Sequence, residues 1–292
     1  MPELPEVETI RRGLVNQVCN KRIERVEIRC KRIVVRPSIP ELAAALTGQS
    51  IRDIQRRGKF LLFELESYKL LVHLGMSGQI TYWDKTRRND DRFLVTMTGL
   101  QKARQHATDK HTHVSVYFND GNAMHYRDIR QFGRWRLYRH QEFNQAREYL
   151  RLGMEPFTDE YQLAKFQEQL RKRKVKIKSL LLNQTIVAGV GNIYADEALF
   201  EAKIRPERMS RALSTQEQRL LFKAIPRVLR RGLQNGGTTF RNYQNSAGEE
   251  GHNQERLKVY GRYGEKCRKC RAQIMRVVVN QRSSHFCPRC QH

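Results

Sequence analysis

Residues 2 to 10 read Pro-Glu-Leu-Pro-Glu-Val-Glu-Thr-Ile directly behind Met1. Removal of Met1 would leave the secondary amine of Pro2 as a free nucleophile beside acidic side chains. Such an amine attacks an aldehyde-like carbon to give an iminium ion, splitting one difficult bond cleavage into two easier steps while neighbouring carboxylates move the protons. With Met1 retained, the Pro2 nitrogen is an amide and this chemistry is closed. Glu3 and Glu6 are three residues apart and share one helical face, whereas Glu8 is expected to point elsewhere. The stretch also fits an ordinary helix start, since Pro is tolerated in a first turn and Glu complements the positive helix end. The rest of the chain has to decide between the two.

A second chemical pattern lies at the other end. Cys267-Arg-Lys-Cys270 and Cys287-Pro-Arg-Cys290 are separated by sixteen residues, the spacing of a structural zinc site. Four thiolates leave no open position for catalysis, so the expected cofactor is one structural zinc ion. Ile274 to Asn280 and Ser284 to Phe286 are expected to pair as a hairpin between the knuckles. Arg268, Lys269, Arg271, Arg276, Arg282 and Arg289 surround the site and would present cations to phosphates. A third pattern, Val187-Ala-Gly-Val-Gly-Asn-Ile-Tyr194, joins two helical segments through a glycine-rich turn. Its amides and the Asn192 side chain suit a phosphate at a helix start, although a tight helix connection needs the same small residues. The nearby run Arg171-Lys-Arg-Lys-Val-Lys-Ile-Lys178 adds six cations.

These groups need a scaffold. After an opening helix to about Asn16, alternating runs predict eight strands: Ile23 to Arg29, Ile51 to Gln55, Lys59 to Leu65, Leu70 to Leu74, Gln79 to Trp83, Val114 to Phe118, Ala123 to Asp128 and Arg134 to Tyr138. Their spacing suggests a β-sandwich or barrel. A polar stretch from 84 to 112, around an apolar patch at Phe93 to Met97, reads as a long excursion with room for one strand. From Glu142 the period becomes helical, over about 142–151, 159–169, 175–184, 192–201 and 214–234. Met154-Glu-Pro-Phe-Thr reads as a linker, and the polar stretch 238–256 as a mobile loop.

The chain has 292 residues, enough for two domains of ordinary size, and its 55 Lys plus Arg against 30 Asp plus Glu give a formal net charge of +25. That excess is spread along the chain, which points to a polyanion held on a folded cationic face, a property shared by purely structural RNA binders. No apolar run approaches a membrane span and the first twenty residues lack the apolar core of a secretory signal, so a soluble, intracellular protein is expected. Of six cysteines, Cys19 and Cys30 stand outside the metal pattern and read as small core residues of a reducing compartment.

Taken together, Met1-Pro-Glu-Leu-Pro-Glu-Val-Glu-Thr, His73-Leu-Gly-Met-Ser-Gly78, Asp128-Ile-Arg-Gln-Phe-Gly133, Gly189-Val-Gly-Asn-Ile-Tyr-Ala195 and the four-cysteine finger resemble the bacterial formamidopyrimidine-DNA glycosylases, in order and through nearly the whole chain. Leu4 and Val7 look more like this branch than like its sister, endonuclease VIII. The resemblance implies an α+β protein of two domains, an N-terminal β-sandwich with a catalytic N-terminal helix and a C-terminal helix-two-turn-helix domain with a four-cysteine zinc finger. The corresponding boundaries are 1–140 for the catalytic domain, 141–156 for a linker, 157–256 for the helical domain with a lesion-capping loop at 238–256, and 257–292 for the finger. It implies a bifunctional DNA glycosylase/AP lyase of base excision repair that removes oxidised purines and cuts the strand by β,δ-elimination. The partner would be damaged double-stranded DNA, and the protein a bacterial, cytoplasmic, nucleoid-associated monomer with no membrane contact.

Carried onto matching positions, Pro2 would attack C1′, Glu3 would donate the proton that opens the sugar, and Glu6 would orient the site. Lys59 matches a lysine of β-elimination that also holds a phosphate, and Arg282 an arginine of δ-elimination. An enzyme acting on a base in a duplex must flip it out and fill the hole. Met76, Arg130 and Phe132 match the void-filling residues, with the Arg130 fork suited to the acceptor edge of the orphaned cytosine. His111, Arg173 and Asn192 match DNA backbone contacts, with Lys178 a further candidate. Gln131 stands where the family often has a second basic residue, and the 84–110 segment is longer than usual. Two rivals remain open: an endonuclease VIII type activity on oxidised pyrimidines, and a non-catalytic zinc protein that binds damaged DNA.

Overall fold

A computed structural model describes residues 1–85, 109–240 and 243–292. The chain divides into two compact units, Met1–Leu150 with Gly236–His252, and Arg151–Asn235 with Asn253–His292. The expected strand at Phe93 to Met97 and most of the 84–110 excursion lie outside the described residues.

Unit 1 opens with α1 (Leu4–Val18). A capping box starts this helix, with the Glu6 carboxylate accepting the Glu3 backbone N–H at 2.8 Å. Leu4, Val7, Ile10, Leu14 and Val18 recur at helical spacing and are fully buried, each contributing about 2 kcal/mol of apolar burial. All but Leu4 enter one core with two sheets. The first sheet orders β1 (Ile23–Ile28), β7 (Thr112–Phe118), β8 (Ala123–Asp128) and β6 (Gly78–Trp83). The second orders β2 (Val34–Arg36), β9 (Arg134–Arg139), β5 (Tyr68–His73), β4 (Phe60–Leu65) and β3 (Ile51–Arg57). Of the strands in these two sheets, only β2 and β9 pair in parallel.

Strand alternation shows how the second sheet is covered on both faces. Leu61, Phe63 and Leu65 of β4 point into the main core, while Leu62 and Phe60 join Leu71, Tyr138, Phe143 and Tyr149 in a smaller cluster. The segment supplying Phe143 and Tyr149 is a 3-10 turn over His140–Gln145 followed by one helical turn, α3 (Arg147–Leu150), rather than the continuous helix expected from the sequence. Two elements are not among the expected ones, β2 and α2 (Ile39–Leu46), although α2 carries a capping box between Ser38 and Glu41.

Gly236–His252 belongs with unit 1, although the sequence expectation places all of it in the helical domain 157–256. Long-range hydrogen bonds explain this. Thr238 N–H donates to Glu6 Oε1 at 2.8 Å, and Tyr82 N–H to the Ser246 carbonyl at 3.0 Å. The Thr239 hydroxyl donates to the Tyr243 carbonyl at 3.0 Å and accepts the Gly251 N–H at 2.9 Å. Residues 241 and 242 lie outside the described residues.

Unit 2 contains α4 (Leu163–Lys172), α5 (Ile177–Leu182), α6 (Asn192–Glu201) and α7 (Thr215–Gln234), then the hairpin β10 (Met275–Val279) and β11 (Arg282–Phe286). The turn from α5 to α6 is tied by one side chain: Gln184 donates to the Val190 carbonyl at 2.8 Å and accepts the Gly189 N–H at 2.9 Å. Pro226 interrupts the α7 ladder, and the Phe222 carbonyl, which has no N–H partner at that position, accepts the Tyr161 hydroxyl at 3.0 Å. No helix among the described residues is long and apolar enough to cross a membrane.

Candidate active site and nucleic-acid interface

The terminal amine is carried here by Met1, which is 45% exposed, and Pro2 behind it is buried. Burial is the largest influence on that amine and lowers it from its ordinary 8.0, Glu3 and Glu6 pull it upward, and the charges of Lys59 and Arg130 lower it further. Groups from the chain terminus, the β3–β4 turn and the loop after β8 therefore share one electrostatic neighbourhood. Glu3, Glu6 and Lys59 are nearly fully buried. Glu6 uses one carboxylate oxygen for the Glu3 N–H and the other for the Thr238 N–H, both at 2.8 Å, so it fixes the start of α1 against the 236–252 segment. The Tyr243 hydroxyl lies 3.4 Å from the Glu6 carbonyl and 3.0 Å from the Gly236 carbonyl.

Lys59 sits on the tight turn between β3 and β4, where Arg57 faces Phe60. Glu8, expected to point away from this chemistry, anchors that turn. Its carboxylate accepts Arg56 Nε at 3.0 Å, while Arg56 also donates to the Gly58 carbonyl at 3.2 Å. Burial alone would raise Glu8, but hydrogen bonds from Arg11 and Arg12 and the charge of Arg56 outweigh it and hold the carboxyl at about 2. A fixed anion thus clamps α1 to the lysine turn. His73, at the end of β5 and the first residue of the His73–Gly78 motif, is a further neighbour. Burial, then the positive charges of Lys59, Arg136 and Arg134, push it down to about 4, and its Nδ1 accepts the Gly75 N–H at 3.0 Å.

Met76, Arg130 and Phe132 come from two loops, 74–77 between β5 and β6 and 129–133 between β8 and β9. Both loops cross from one sheet to the other. Phe132 is 41% exposed, and the Arg130 guanidinium lies 4.8 Å from the centre of its ring. The loops touch through glycines. Gly75 has φ +67°, and a Cβ there would lie 2.5 Å from the Phe132 carbonyl carbon; at Gly133 it would collide with the Tyr126 hydroxyl. His111, partly buried, begins the approach to β7, and its carbonyl accepts the Asp128 N–H at 2.9 Å.

Within unit 2, Arg173 caps the end of α4 beside Gln169. Lys178 differs from the sequence expectation of a surface phosphate contact. Its side chain is wholly buried, its ammonium lies 2.7 Å from Asp196 Oδ1, and it donates to the Ser283 carbonyl at 2.8 Å. The run of cations suggests a solvated face, but this member points inward. Asn192 Nδ2 donates to the same Ser283 carbonyl at 3.2 Å, and Asp196 Oδ2 accepts the His285 N–H at 2.8 Å. Glu197, the next residue on α6, accepts the N–H groups of Lys258, Val259 and Tyr260 at 2.9 to 3.0 Å. One helix therefore fastens the finger at three points. Arg282 is exposed just past the hairpin tip, where Asn280 and Gln281 both take positive φ, the geometry of a two-residue turn.

The four finger sulfurs lie within 4.8 Å of one another, with Cys270 and Cys287 at 3.4 Å and Cys267 and Cys290 at 4.0 Å. Zinc–sulfur bonds of about 2.3 Å in a tetrahedron require sulfur separations of roughly 3.8 Å, so the donor set fits one zinc ion. The Lys269 N–H points at Cys267 Sγ at 3.4 Å, an outer hydrogen bond suited to a thiolate. Cys19 and Cys30 are free thiols packed on the main core.

Comparison with known proteins agrees with these features. Residues 1–135 match the formamidopyrimidine-DNA glycosylase N-terminal domain, 152–244 the H2TH domain of the same enzymes, and 264–292 the zinc finger found in FPG and IleRS. A formamidopyrimidine-DNA glycosylase of Halalkalibacterium halodurans is 41% identical over the whole of both chains, and one of Enterococcus faecalis is 42% identical over 100% of this chain and 97% of its own. Among solved structures, a Lactococcus lactis FPG mutant in complex with Fapy-dG containing DNA has a TM-score of 0.86 at 36% identity, covering 100% of both chains. MutM in complex with carbocyclic 8-oxo-G containing DNA reaches 0.85 at 36% identity, again covering 100% of both chains. Sheet domain, helical domain and thiolate finger together define a DNA glycosylase of base excision repair that is also an AP lyase. Within that class, the chain belongs to the formamidopyrimidine-DNA glycosylase family.

Proposed function

We propose that this protein excises oxidised purines, 8-oxoguanine and formamidopyrimidines, from duplex DNA through the amine of Pro2 and then cuts the strand by β- and δ-elimination. The observation carrying this reading is the charge environment of the chain terminus, where Glu3, Glu6, Lys59 and Arg130 act on the terminal amine. Once Met1 is gone, Pro2 attacks C1′ as the bond to the base breaks, and Glu3 protonates the ring oxygen so that the sugar opens to a Schiff base. A nucleophile must be unprotonated, and burial, the largest influence at the chain terminus, makes the amine give up its proton more readily than in water, against the upward pull of Glu3 and Glu6. Lys59, held by the Glu8–Arg56 clamp, supports β-elimination and a phosphate. Arg282 at the finger tip serves δ-elimination. Met76, Arg130 and Phe132 fill the space of the extruded base, while His111, Arg173 and Asn192 hold the DNA backbone. Lys178 acts from the interior, by holding Ser283 next to Arg282.

The segment 238–256 caps the flipped base, and its bond to Glu6 ties capping to the amine. The protein acts in the bacterial cytoplasm on the nucleoid, as a monomer and away from membranes. Zinc, when bound by Cys267, Cys270, Cys287 and Cys290, supplies the cross-link that shapes the finger.

The test is borohydride trapping of Met-processed, untagged protein on a duplex with 8-oxoguanine opposite cytosine. A denaturation-resistant protein–DNA band, absent when Met1 is retained, is expected. Trapping on a thymine glycol duplex alone would assign the pyrimidine activity instead, and no trapping on any substrate, an abasic site included, would leave a binding protein.

A further inference from the structure

Asp128, at the end of β8, is fully buried and touches no solvent, yet its carboxylate gathers four donors. Oδ1 accepts the Ser77 hydroxyl at 2.6 Å and the Arg130 N–H at 3.2 Å. Oδ2 accepts the Tyr126 hydroxyl at 3.0 Å and the Gly133 N–H at 2.8 Å. Ser77 also accepts the Arg130 N–H at 3.0 Å, so its hydroxyl bridges the two loops. His113 Nε2 meets the Asp128 carbonyl at 2.9 Å. An aspartate that merely caps its own turn bonds to amides a few residues ahead. This one also reaches the loop 74–77, 51 positions back. Gln131, between Arg130 and Phe132, takes φ +56°, a conformation that a non-glycine residue keeps only where its surroundings over-determine it.

We infer that Asp128 is a positioning residue that locks the Met76 loop and the Arg130–Phe132 loop into one pre-formed wedge, so that the three side chains enter the duplex as a unit. The inference rests on the reading above in which those three fill the space of the flipped base. Opening a base step costs unstacking energy, and an insertion element already ordered loses no further entropy at that moment. Cutting the Asp128 network frees the loops to move separately, so insertion slows while the amine, Glu3 and Lys59 keep their own contacts. Four donors converge on two oxygens, so an amide at one of them would face two N–H or O–H groups with donors of its own.

The test uses full-length, Met-processed protein carrying Asp128→Asn, and separately Ser77→Ala, which removes only the bridge between loops. Stopped-flow fluorescence of 2-aminopurine placed beside the lesion follows unstacking in the duplex. Borohydride trapping on a single-stranded oligonucleotide with an abasic site follows the amine chemistry where no hole needs filling. In Asp128→Asn the unstacking phase and duplex excision are expected to slow on the order of tenfold, with single-strand trapping within about twofold of the unaltered protein. Ser77→Ala is expected to show the same split at smaller size. Should Asp128→Asn lack a cooperative thermal transition, Ser77→Ala decides alone. Unaltered unstacking rates in the folded variants overturn the inference, and so does an equal loss on both substrates, which would mean a general structural role. Failure of the unaltered protein to excise 8-oxoguanine would refute the proposed function instead. The unstacking comparison between proteins would then still decide the role of Asp128.

Discussion

Replacing Lys178 by Met tests how the finger is fastened. The ion pair with Asp196 is at 2.7 Å with both side chains wholly buried, so the change leaves an anion without its cation in the interior. Breaking a buried pair on one side costs about 3–5 kcal/mol, mostly the penalty of the abandoned charge. At about 4 °C per kcal/mol for a unit of this size, the melting temperature of unit 2 should fall by roughly 12–20 °C. Adding Asp196→Asn removes the stranded charge while leaving an oxygen for the His285 N–H, so the double variant should recover about half of that loss or more. Zinc-loaded protein followed by near-ultraviolet circular dichroism gives the numbers. Because Lys178 also holds Ser283 beside Arg282, the single variant should stop more often at the β-elimination product, read on a denaturing gel. A drop under about 3 °C, or a double variant no more stable than the single one, would refute the account of the pair as a buried charge clamp.

Glu3→Gln should lose base excision on 8-oxoguanine duplexes by about 100-fold or more yet still nick a preformed abasic site, and equal loss of both in a gel assay would remove Glu3 from the proton-donor role. Cys267→Ser should release zinc, detected with a chromogenic chelator, and lower DNA affinity, with a salt slope shallower by about one unit for each phosphate no longer neutralised; an unchanged slope would take the finger out of the interface. His73 is held at about 4 when folded and titrates near 6.5 when unfolded, so the unfolded chain takes up the proton first. Its stabilising contribution is complete above about pH 6.5 and is lost as pH falls towards 4, by up to about 3 kcal/mol. Urea midpoints at pH 7 and pH 4.5 should therefore differ less in His73→Gln than in the unaltered protein, and an identical difference would contradict the burial argument.

Much of this architecture is legible in the sequence. The opening helix, the strands of unit 1 other than β2, and the boundaries of α6 and α7 follow from periodicity and caps, because each is decided within a few residues. The knuckle spacing of Cys267 to Cys290 likewise encodes its chemistry locally. What escapes depends on partners far along the chain. Glu8 reads as a residue pointing away from the site because nothing near it reveals Arg56, and Asp128 becomes a hub only through Ser77, Tyr126 and Gly133. Lys178 ends a cationic run that reads as a solvated face, and its inward turn follows from Asp196 and Ser283. The α2 helix is a different case, since Ser38-Ile-Pro-Glu41 is a capping signature open to local reading.

The excursion Gly236–His252 leaves unit 2 after Asn235 and returns at Asn253, and the side chains of those two residues are hydrogen-bonded at 3.2 Å. A closed neck of that kind lets the segment leave and rejoin unit 2 at one point, while its own contacts are made with unit 1. Closure entropy grows only with the logarithm of loop length, so residues added or removed inside it burden the helical scaffold little. On the proposal that this stretch caps the flipped base, rewriting it is expected to redraw which damaged bases are accepted, provided the Thr238 bond to Glu6 is kept. Grafting this stretch between relatives is then the expected route to a changed substrate range, with the hydrogen bonds of Thr238 and Tyr243 to Glu6 as the joint that must be preserved.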